Sequence, residues 1–297
     1  MNTQNQLRGV AAMLLSGFTF VINDSLMKIT MDSLPPYEVL VLRGLAGIFF
    51  ALLYLIYRGE ARFRSSFFSR PVLLRAGLEC IAILIYIIAL AHSPIGDVTA
   101  LFQTTPLLVI AGLILFQGEK SSALRIGLVV LGFIGALLVA QPGQGTVSPF
   151  VMLALITAVF AAARDLAARK ISAEVPAMIS TFVLIVTVCV CSAVCSLLFE
   201  TWVMPPLTVL VLPISAGLMM MLGHHFTLVA YRSANAQTVA PFYYSFMVFA
   251  VIIGYFIFKD VPNTLGFIGM AVIVLSGLAI VATGKSEKAD VFQSPDL

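Results

Sequence analysis

Ionisable residues interrupt several long apolar runs of this sequence. Asp24 and Arg43 stand in the first two runs, and Glu79 stands near the middle of the third. A charged group in membrane hydrocarbon costs several kcal/mol, so such residues normally face a partner or a water-filled cavity. In that setting they can bind a polar ligand, exchange a proton or form a structural ion pair.

The first candidate pair is Asp24 with Arg43. A rise of about 1.5 Å per residue places Asp24 roughly 8 Å and Arg43 roughly 10 Å from the predicted outer edge of the apolar core. An Asp24–Arg43 pair is therefore geometrically plausible. It would be either a structural ion pair or an outer gate or substrate contact.

Glu79 is the second candidate, some 12 Å from the predicted inner edge by the same rise. Arg75 lies four residues earlier on the same helix face but closer to the interface. An unpaired Glu79 would suit proton coupling or the binding of an amine-bearing substrate. The alternative is a structural pair in which Arg75 snorkels toward Glu79.

A third group combines Arg164 and Asp165 with His224 and His225, each pair about 7 Å from the inner edge. Neighbouring helical residues point about 100° apart, so the two histidines do not suit one metal ion. We expect one histidine to bond Asp165 or substrate, and we predict no metal or cofactor. The cysteines are predicted to be apolar fillers: Cys80, Cys189, Cys191 and Cys195.

Two further segments combine proline with polar or aromatic residues. Gln103 opens the stretch Gln-Thr-Thr-Pro, and Tyr243 and Tyr244 lie in Pro-Phe-Tyr-Tyr-Ser. Helix breaks in a membrane are tolerated where they line a cavity. Tyr86, Tyr243 and Tyr244 could stack on a planar or apolar part of a substrate. We favour packing for Tyr86 and a cavity position for at least one of the other two.

The elements that must position these residues are membrane spans. The chain has 297 residues, of which 60% are hydrophobic and only 10% charged, whereas soluble domains carry about 25% charged residues. A spanning helix needs about 20 apolar residues. Ten segments qualify: 9–29, 36–57, 72–91, 95–116, 123–140, 149–169, 176–199, 207–230, 237–258 and 263–282.

The distribution of basic residues predicts the orientation of these spans. Four arginines lie in the connection between the second and third spans, and a fifth, Arg75, lies just inside the third span. Placing this connection in the cytoplasm puts most other basic residues there too. Both termini are then cytoplasmic, in a multi-pass protein of the cell (inner) membrane. With a net charge of +3 and no long basic tract, nucleic acid is not a predicted partner.

The two halves of the chain resemble each other at an offset of 140 to 142 residues. Asp24 lies over Asp165, and the Gly127/Gly135 pair lies over Gly269/Gly277. Five spans per copy is an odd number, so the second copy must be inverted. Inverted repeats are typical of transporters, whose substrate site lies between the copies. We predict repeats at 1–142 and 148–284 and a disordered tail at 285–297.

The chain resembles the ten-helix EamA branch of the drug/metabolite transporter superfamily. The likeness rests on residues in both halves: Lys28, Arg43, Ala89-Leu90-x9-Ala100-x5-Pro106-Leu107, Glu119, Gly127, Gly135, Arg169-Lys170, Ala230-Tyr231, Ala240, Gly269 and Gly277. Phe246 and Asp260 depart from the pattern where the first half has Pro106 and Glu119. The Asn-Asp-x3-Lys end of the first span is most similar to a branch that includes riboflavin and S-adenosylmethionine carriers.

The resemblance implies a secondary transporter of a small polar metabolite, such as an amino acid or a related compound, with export as one direction. An uptake carrier for riboflavin or S-adenosylmethionine is the main alternative. No G-x4-G-K-[ST] loop is present, which argues against direct ATP drive. A membrane enzyme and a channel are remoter alternatives. The expected partners are substrate and lipid, and the glycine pairs could also support a homodimer.

Overall fold

The architecture is entirely helical over the part of the chain that the structure describes. This computed structural model describes residues 3–59, 68–117, 122–141, 149–168, 170–172, 175–234 and 239–293. Within these residues, eight helices are long and apolar enough to cross a membrane, and two shorter apolar helices, Ile126–Ala140 and Phe242–Phe258, complete a set of ten spans. The prediction of a ten-span all-α membrane protein is confirmed.

The first repeat contains five spans, and the fourth is broken in two. The helices cover Thr3–Thr30, Pro36–Tyr57, Arg70–His92, Ile95–Phe102 continued by Thr105–Gln117, and Ala123–Ala140. Pro36 is the first residue of the second span, where its missing N–H costs no hydrogen bond. The fourth span breaks at Gln103 and Thr104, next to Pro106, as the sequence predicted.

The second repeat has the same number of spans and a different irregularity. Its helices cover Val151–Ala168, Ala177–Phe199, Leu207–Ser233, the ninth span, and Thr264–Gln293. The ninth span opens with the 3-10 turn Ala240–Tyr244, continues as Ser245–Ile253 and ends in the π-helical Gly254–Phe258. Its 3-10 turn occupies the place of the break in the fourth span.

The C-terminal segment differs from its prediction, and several other predicted features lie outside the described residues. We predicted disorder from residue 285, but the last helix continues to Gln293. No proline stands between Gly284 and Gln293, and Lys, Glu and Ala are good helix formers. Residues 294–297, Glu119, Arg169 and the connection at 142–148 lie outside the described residues.

The set of packed helix pairs stays the same when the two repeats are exchanged. The first span packs on the eighth and the third on the sixth, and each pair becomes the other when the repeats are exchanged. The second span packs on the seventh and the fifth on the tenth, so each of these pairs maps onto itself. The fourth and ninth spans also meet. A pseudo-two-fold axis therefore runs through the bundle.

Two hydrogen bonds show the register of this pseudosymmetry at the level of single atoms. Ser16 Oγ donates to the Gly223 carbonyl at 3.0 Å, joining the first and eighth spans. Thr157 Oγ1 lies 3.4 Å from the Ala82 carbonyl, between the sixth and third spans. Thr157 follows Ser16 by 141 residues, and Gly223 follows Ala82 by 141. The same contact is thus made once by each repeat.

The glycine pairs of the fifth and tenth spans serve different purposes. A methyl group on Gly135 would lie 2.8 Å from the Gly269 carbonyl oxygen, so these two backbones meet closely, as small residues allow. Gly127 faces open space within 4 Å. A methyl group on Gly277 would collide with the Tyr244 ring. We predicted that these glycines serve helix packing, within the bundle or in a homodimer, and not the site; Gly277 departs from this prediction because it lines the cavity described below.

Candidate functional site

The centre of the bundle holds a cavity of about 680 Å³ between the two repeats. This volume falls within the roughly 300–1,000 Å³ that is usual for small-molecule sites. Of the ten candidate residues predicted from sequence, nine line it: Asp24, Arg43, Glu79, Tyr86, Arg164, Asp165, His224, Tyr243 and Tyr244. The exception among the described residues is Gln103. The topology therefore gathers polar groups from six spans into one space.

Asp24 is held by neutral donors. Tyr86 Oη donates a 2.7 Å hydrogen bond to Asp24 Oδ2, and Asn23 Nδ2 donates at 2.8 Å to Asp24 Oδ1. Asp24 is 6% exposed. Tyr86 reaches Asp24 from the third span, so our prediction that Tyr86 serves packing is incomplete. The carboxylate has one hydrogen bond from its own span and one from outside it.

Arg43 lies at the same end of the cavity without a direct ion pair. No carboxylate of the described chain comes within 4 Å of its guanidinium. Among the neighbouring charged groups, Asp24 has the largest electrostatic effect on Arg43. Arg43 is 5% exposed, and its Nε has no hydrogen-bond partner. The predicted Asp24–Arg43 ion pair is therefore wrong, because Tyr86 and Asn23 occupy the carboxylate instead.

Glu79 is paired with Arg164 of the sixth span. Arg164 Nη1 contacts Glu79 Oε2, and Arg164 Nε donates at 2.8 Å to Asp165 Oδ1. Arg75 donates instead to the Ser180 hydroxyl at 2.9 Å. Neither an unpaired Glu79 nor a Glu79–Arg75 pair is present. The reason is that the third and sixth spans pack side by side and bring together residues 85 positions apart.

The two histidines point to different surroundings. His224 lines the cavity and meets the edge of Phe20 with ring centroids 5.1 Å apart. His225 Nδ1 lies 3.2 Å from Tyr54 Oη. The predicted bond to Asp165 is not among these contacts, because Arg164 folds back onto Asp165. The described residues contain no group of three metal-ligating side chains.

Gln103 connects the two irregular spans and does not line the cavity. Its Nε2 donates a 3.0 Å hydrogen bond to the Tyr243 carbonyl, and its side chain is fully buried. Tyr243 follows Gln103 by 140 residues, so the bond joins equivalent positions of the two repeats. The predicted substrate contact of Gln103 is replaced by this cross-link, because the break at Gln103 turns its amide toward the ninth span.

Aromatic rings form the wall of the cavity between its charged groups. Tyr244 is 4% exposed and lies over Gly277, whose missing side chain makes the space for the ring. Sequence reasoning missed Phe20, Phe102 and Phe246, which line the cavity as well. For Phe20 the available signal was its position four residues before Asp24, on the same helix face.

The charged groups occupy two levels of one cavity. Tyr86 and Glu79 lie seven residues apart on one face of the third span, which separates them by about 10 Å along the helix. The Asp24 level and the Glu79–Arg164 level are therefore two turns apart. From the sequence, Asp24 lies near the predicted outer edge and Arg164 and Asp165 near the inner edge. The structure shows that these groups face the same cavity.

The cavity is more exposed at the level of Asp165 than at the level of Asp24. The Asp165 side chain is 45% exposed, and Ala168, the last residue of the sixth span, also lines the cavity. Beyond Asp24, Lys28 Nζ donates to the carbonyls of Leu90 and Ser93 and lies 5.5 Å from the Phe258 ring centroid. Lys28 thus ties the first, third and ninth spans together at that end.

Asp260, in the connection between the ninth and tenth spans, lies within electrostatic range of Lys28 at the same end. Partial burial raises the pKa of Asp260, and the Lys28 ammonium acts in the opposite direction. The connection from the ninth to the tenth span therefore carries a carboxylate within electrostatic range of the lysine that ties the spans.

Comparisons with known proteins agree with this architecture. The model of the EamA-like transporter family matches the chain twice, over residues 7–141 and 148–282. A pseudopaline exporter, CntI, of Pseudomonas aeruginosa is 29% identical over 282 residues, covering 93% of this chain and 97% of its own. A riboflavin transporter of Vibrio cholerae is 30% identical over 288 residues and 95% of both chains.

A more distant relative and a solved structure extend the comparison. An S-adenosylmethionine uptake transporter of Rickettsia conorii is 26% identical over 94% of both chains. One crystal structure superposes with a TM-score of 0.65 at 19% identity, covering 97% of this chain and 99% of the other. That likeness shows the fold.

Ten spans in two repeats around a central polar cavity define a multi-pass membrane transporter of small metabolites. The chain belongs to the EamA-like transporter family, within the drug/metabolite transporter superfamily.

Proposed function

We propose that this chain is a secondary transporter for a small zwitterionic metabolite of the amino-acid type, working by alternating access between the two repeats. The observation that carries this proposal is the cavity itself. It lies at the repeat interface, contains charges of both signs and is lined by aromatic rings. A site near the middle of inverted repeats is the arrangement on which rocking between two open states depends.

The mixture of groups supports this substrate class. Arg43 offers donors to a carboxylate, and Asp24 offers acceptors to a positively charged group. Tyr244 and the phenylalanines offer apolar faces to the rest of the molecule. Uptake of riboflavin or S-adenosylmethionine is the second candidate, favoured by the same aromatic wall and by relatives named for these compounds.

The proposed orientation places both termini in the cytoplasm of the cell (inner) membrane. The more exposed level of the cavity, near Asp165 and Ala168, then faces the cytoplasm, and the Lys28 contacts close the outer side. Export of a cytoplasmic metabolite would begin from this state. A fluorescent protein fused after Leu297 would fluoresce, and a periplasmic phosphatase fused there would be inactive. The reverse result contradicts the orientation.

Counterflow in proteoliposomes tests the transport proposal. Liposomes holding purified protein would be loaded with unlabelled L-phenylalanine, S-adenosylmethionine or riboflavin and diluted into the labelled compound. We expect saturable, transient accumulation of at least one of them, absent from protein-free liposomes. Flux that does not saturate and shows no counterflow would indicate a channel, and chemical conversion of the label would indicate an enzyme. Absence of flux for all three would contradict the proposal.

A further inference from the structure

Two of the three arginines that line the cavity have no carboxylate partner. Arg164 is ion-paired with both Glu79 and Asp165. In the part of the chain that the structure describes, no carboxylate lies within 4 Å of the guanidinium of Arg43 or of Arg75. A cation inside a membrane span normally faces a partner or a substrate path. Two such cations in one cavity therefore point to a ligand with more than one anionic group.

We propose that the transported molecule is an amino acid with a second carboxylate at the far end of its side chain, and that Arg75 binds this second carboxylate. The inference rests on the transport function proposed above and keeps its assignments, with the α-carboxylate at Arg43 and the amine at Asp24. It names the substrate class more closely. A neutral amino acid such as L-phenylalanine reaches Arg43 and Asp24 but not Arg75, and is a weaker substrate.

Arg75 offers part of its guanidinium to a ligand. Its Nη1 donates to the Ser180 hydroxyl at 2.9 Å and lies 3.3 Å from the Ser180 carbonyl oxygen, which ties the third span to the seventh. These bonds use one nitrogen of a side chain that lines the cavity. A planar guanidinium that is held at one nitrogen presents its other N–H groups in a fixed fork, and this fork matches the two oxygens of a carboxylate.

The charges of the cavity accommodate one more negative group. Arg75 and Arg164 lie within electrostatic range of each other, and their like charges repel. Asp165 is 45% exposed, so water screens its charge more than it screens the buried charges. Apart from Asp165, and with His224 neutral, the lining charges are three arginines and two carboxylates. An amino acid with a second carboxylate has one net negative charge, which offsets this excess.

The seventh span measures the separation of the two arginines. Arg75 is bound to Ser180, and Cys189 packs against Gly44, the residue after Arg43. Cys189 follows Ser180 by nine residues, which is about 13 Å of helix rise. The two guanidinium groups therefore stand at levels on the order of 10 Å apart. Aspartate, whose carboxyl groups are separated by only two carbon atoms, is too short to reach both levels.

The cavity wall between these two levels is apolar. Leu184, Ile185 and Val188 of the seventh span line the cavity between the levels of Ser180 and Cys189. A chain of methylene groups between two carboxylates suits this wall, because apolar surface gains free energy when it leaves water. The volume of about 680 Å³ lies in the range that holds drug-sized ligands, so a long amino acid has room.

Counterflow of matched acids and amides is the main test. Proteoliposomes holding wild-type protein would be assayed with labelled L-glutamate, L-α-aminoadipate, L-α-aminopimelate and L-α-aminosuberate, each beside its side-chain amide. We expect saturable counterflow of the longer acids. We also expect a KM at least about tenfold lower for each of them than for its amide, because the amide loses the charged hydrogen bonds to Arg75.

Replacing Arg75 tests its assignment. Arg75→Gln should remove the preference for the acid, and Arg75→Lys should keep part of it, since the charge remains but the planar fork is lost. Arg70→Gln is the matched control and must keep the preference, because Arg70 is exposed at the start of the same span and does not line the cavity. Acid and amide are compared on one preparation, so partial misfolding changes both rates and not their ratio.

Ser180→Ala separates ligand binding from helix packing. This change removes the hydroxyl to which Arg75 donates and leaves the guanidinium in place. We expect the preference for the acid to persist. If Arg75 served only to tie the third span to the seventh, Ser180→Ala would lose the preference as Arg75→Gln does, and the inference would be overturned.

Further results would also overturn the inference. Equal KM values for acid and amide at every chain length would remove the second carboxylate from the substrate. A preference that survives in Arg75→Gln would remove Arg75 from its recognition. Should Arg75→Gln yield no folded protein, an unchanged ratio in Arg75→Lys would have the same meaning.

The failure of this inference is distinguishable from the failure of the proposed function. Counterflow of L-phenylalanine, S-adenosylmethionine or riboflavin without counterflow of any of the acids would overturn the inference and leave the transporter function intact. Absence of counterflow for all these compounds would remove the proposed function and this inference together.

Discussion

Arg164 reaches from the sixth span to Glu79 on the third, and this pair holds together one helix from each repeat. Both side chains are about five-sixths buried, with 16% and 17% exposure. Removing Arg164 would leave the Glu79 carboxylate buried without its ion-pair partner, whereas removing Glu79 would leave Arg164 paired with Asp165.

The first prediction concerns the stability that this pair provides. Arg164→Gln alone should lower the free energy of unfolding by about 3 kcal/mol, Glu79→Gln should lower it by less, and the double variant should lower it by less than the sum of the two. Unfolding in mixed detergent micelles would measure the double-mutant cycle. Asp165→Asn is the control, because its 45% exposed side chain should cost less than about 1 kcal/mol. Additive single effects would show that the residues do not interact.

The second prediction concerns the Tyr86 hydroxyl, which donates a hydrogen bond to Asp24. Tyr86→Phe removes one hydrogen bond to a buried carboxylate and should lower the free energy of unfolding by about 1.5–3 kcal/mol. The same micelle unfolding would measure it. Tyr255→Phe is the matched control, since Tyr255 is 52% exposed. Equal effects of the two changes would contradict a special position for Tyr86.

The third prediction concerns the glycine beneath Tyr244. Gly277→Ala forces the ring to move and should lower the free energy of unfolding by about 1–3 kcal/mol, with a loss of transport. Gly127→Ala, where a methyl group meets open space, should be neutral or slightly stabilising. Counterflow and thermal unfolding of both variants would measure the difference. Normal transport by Gly277→Ala would remove Tyr244 from the cavity argument.

The fourth prediction concerns closure at the Lys28 end. Lys28→Met keeps the apolar stem but loses the bonds to Leu90 and Ser93. Loss of these charged hydrogen bonds should raise the population of the conformation in which the cavity is open at the Lys28 end by about tenfold.

Labelling of a cysteine introduced at the cavity residue Ile83 would detect this opening in intact cells. A membrane-impermeant maleimide would be used on a chain whose four native cysteines are replaced by serine. Lys259→Met is the control, since Lys259 follows Phe258 in the sequence and is exposed. Unchanged labelling in Lys28→Met would show that these contacts do not close the pathway.

The spans and their repetition were predictable because they depend on local sequence. Apolar length alone located the ten helices, and Pro106 marked the break in the fourth span. The offset between Asp24 and Asp165 gave the register that the Ser16 and Thr157 contacts later showed in atomic detail. The lengths of the apolar runs, the prolines that interrupt them and the repeat offset carry this information without any knowledge of the neighbouring helices.

The partners inside the cavity were not predictable in the same way. Glu79 meets Arg164 across 85 residues, and which helices are neighbours depends on the packing of the whole bundle. Gln103 illustrates the same limit, since its residue type fits a ligand contact as well as a cross-link. Burial depth could be estimated from helix rise, but the direction of a side chain around its helix needed the neighbouring spans.

The bond between Gln103 and the Tyr243 carbonyl has a further geometrical meaning. Equivalent points of two related halves can meet only near the axis that relates them, so this bond marks where the axis passes. In the proposed alternating access the two repeats exchange conformations, and that exchange carries a pair of equivalent positions onto itself. The separation of Gln103 and Tyr243 is therefore expected to be the same in both open states, while distances between non-equivalent positions change.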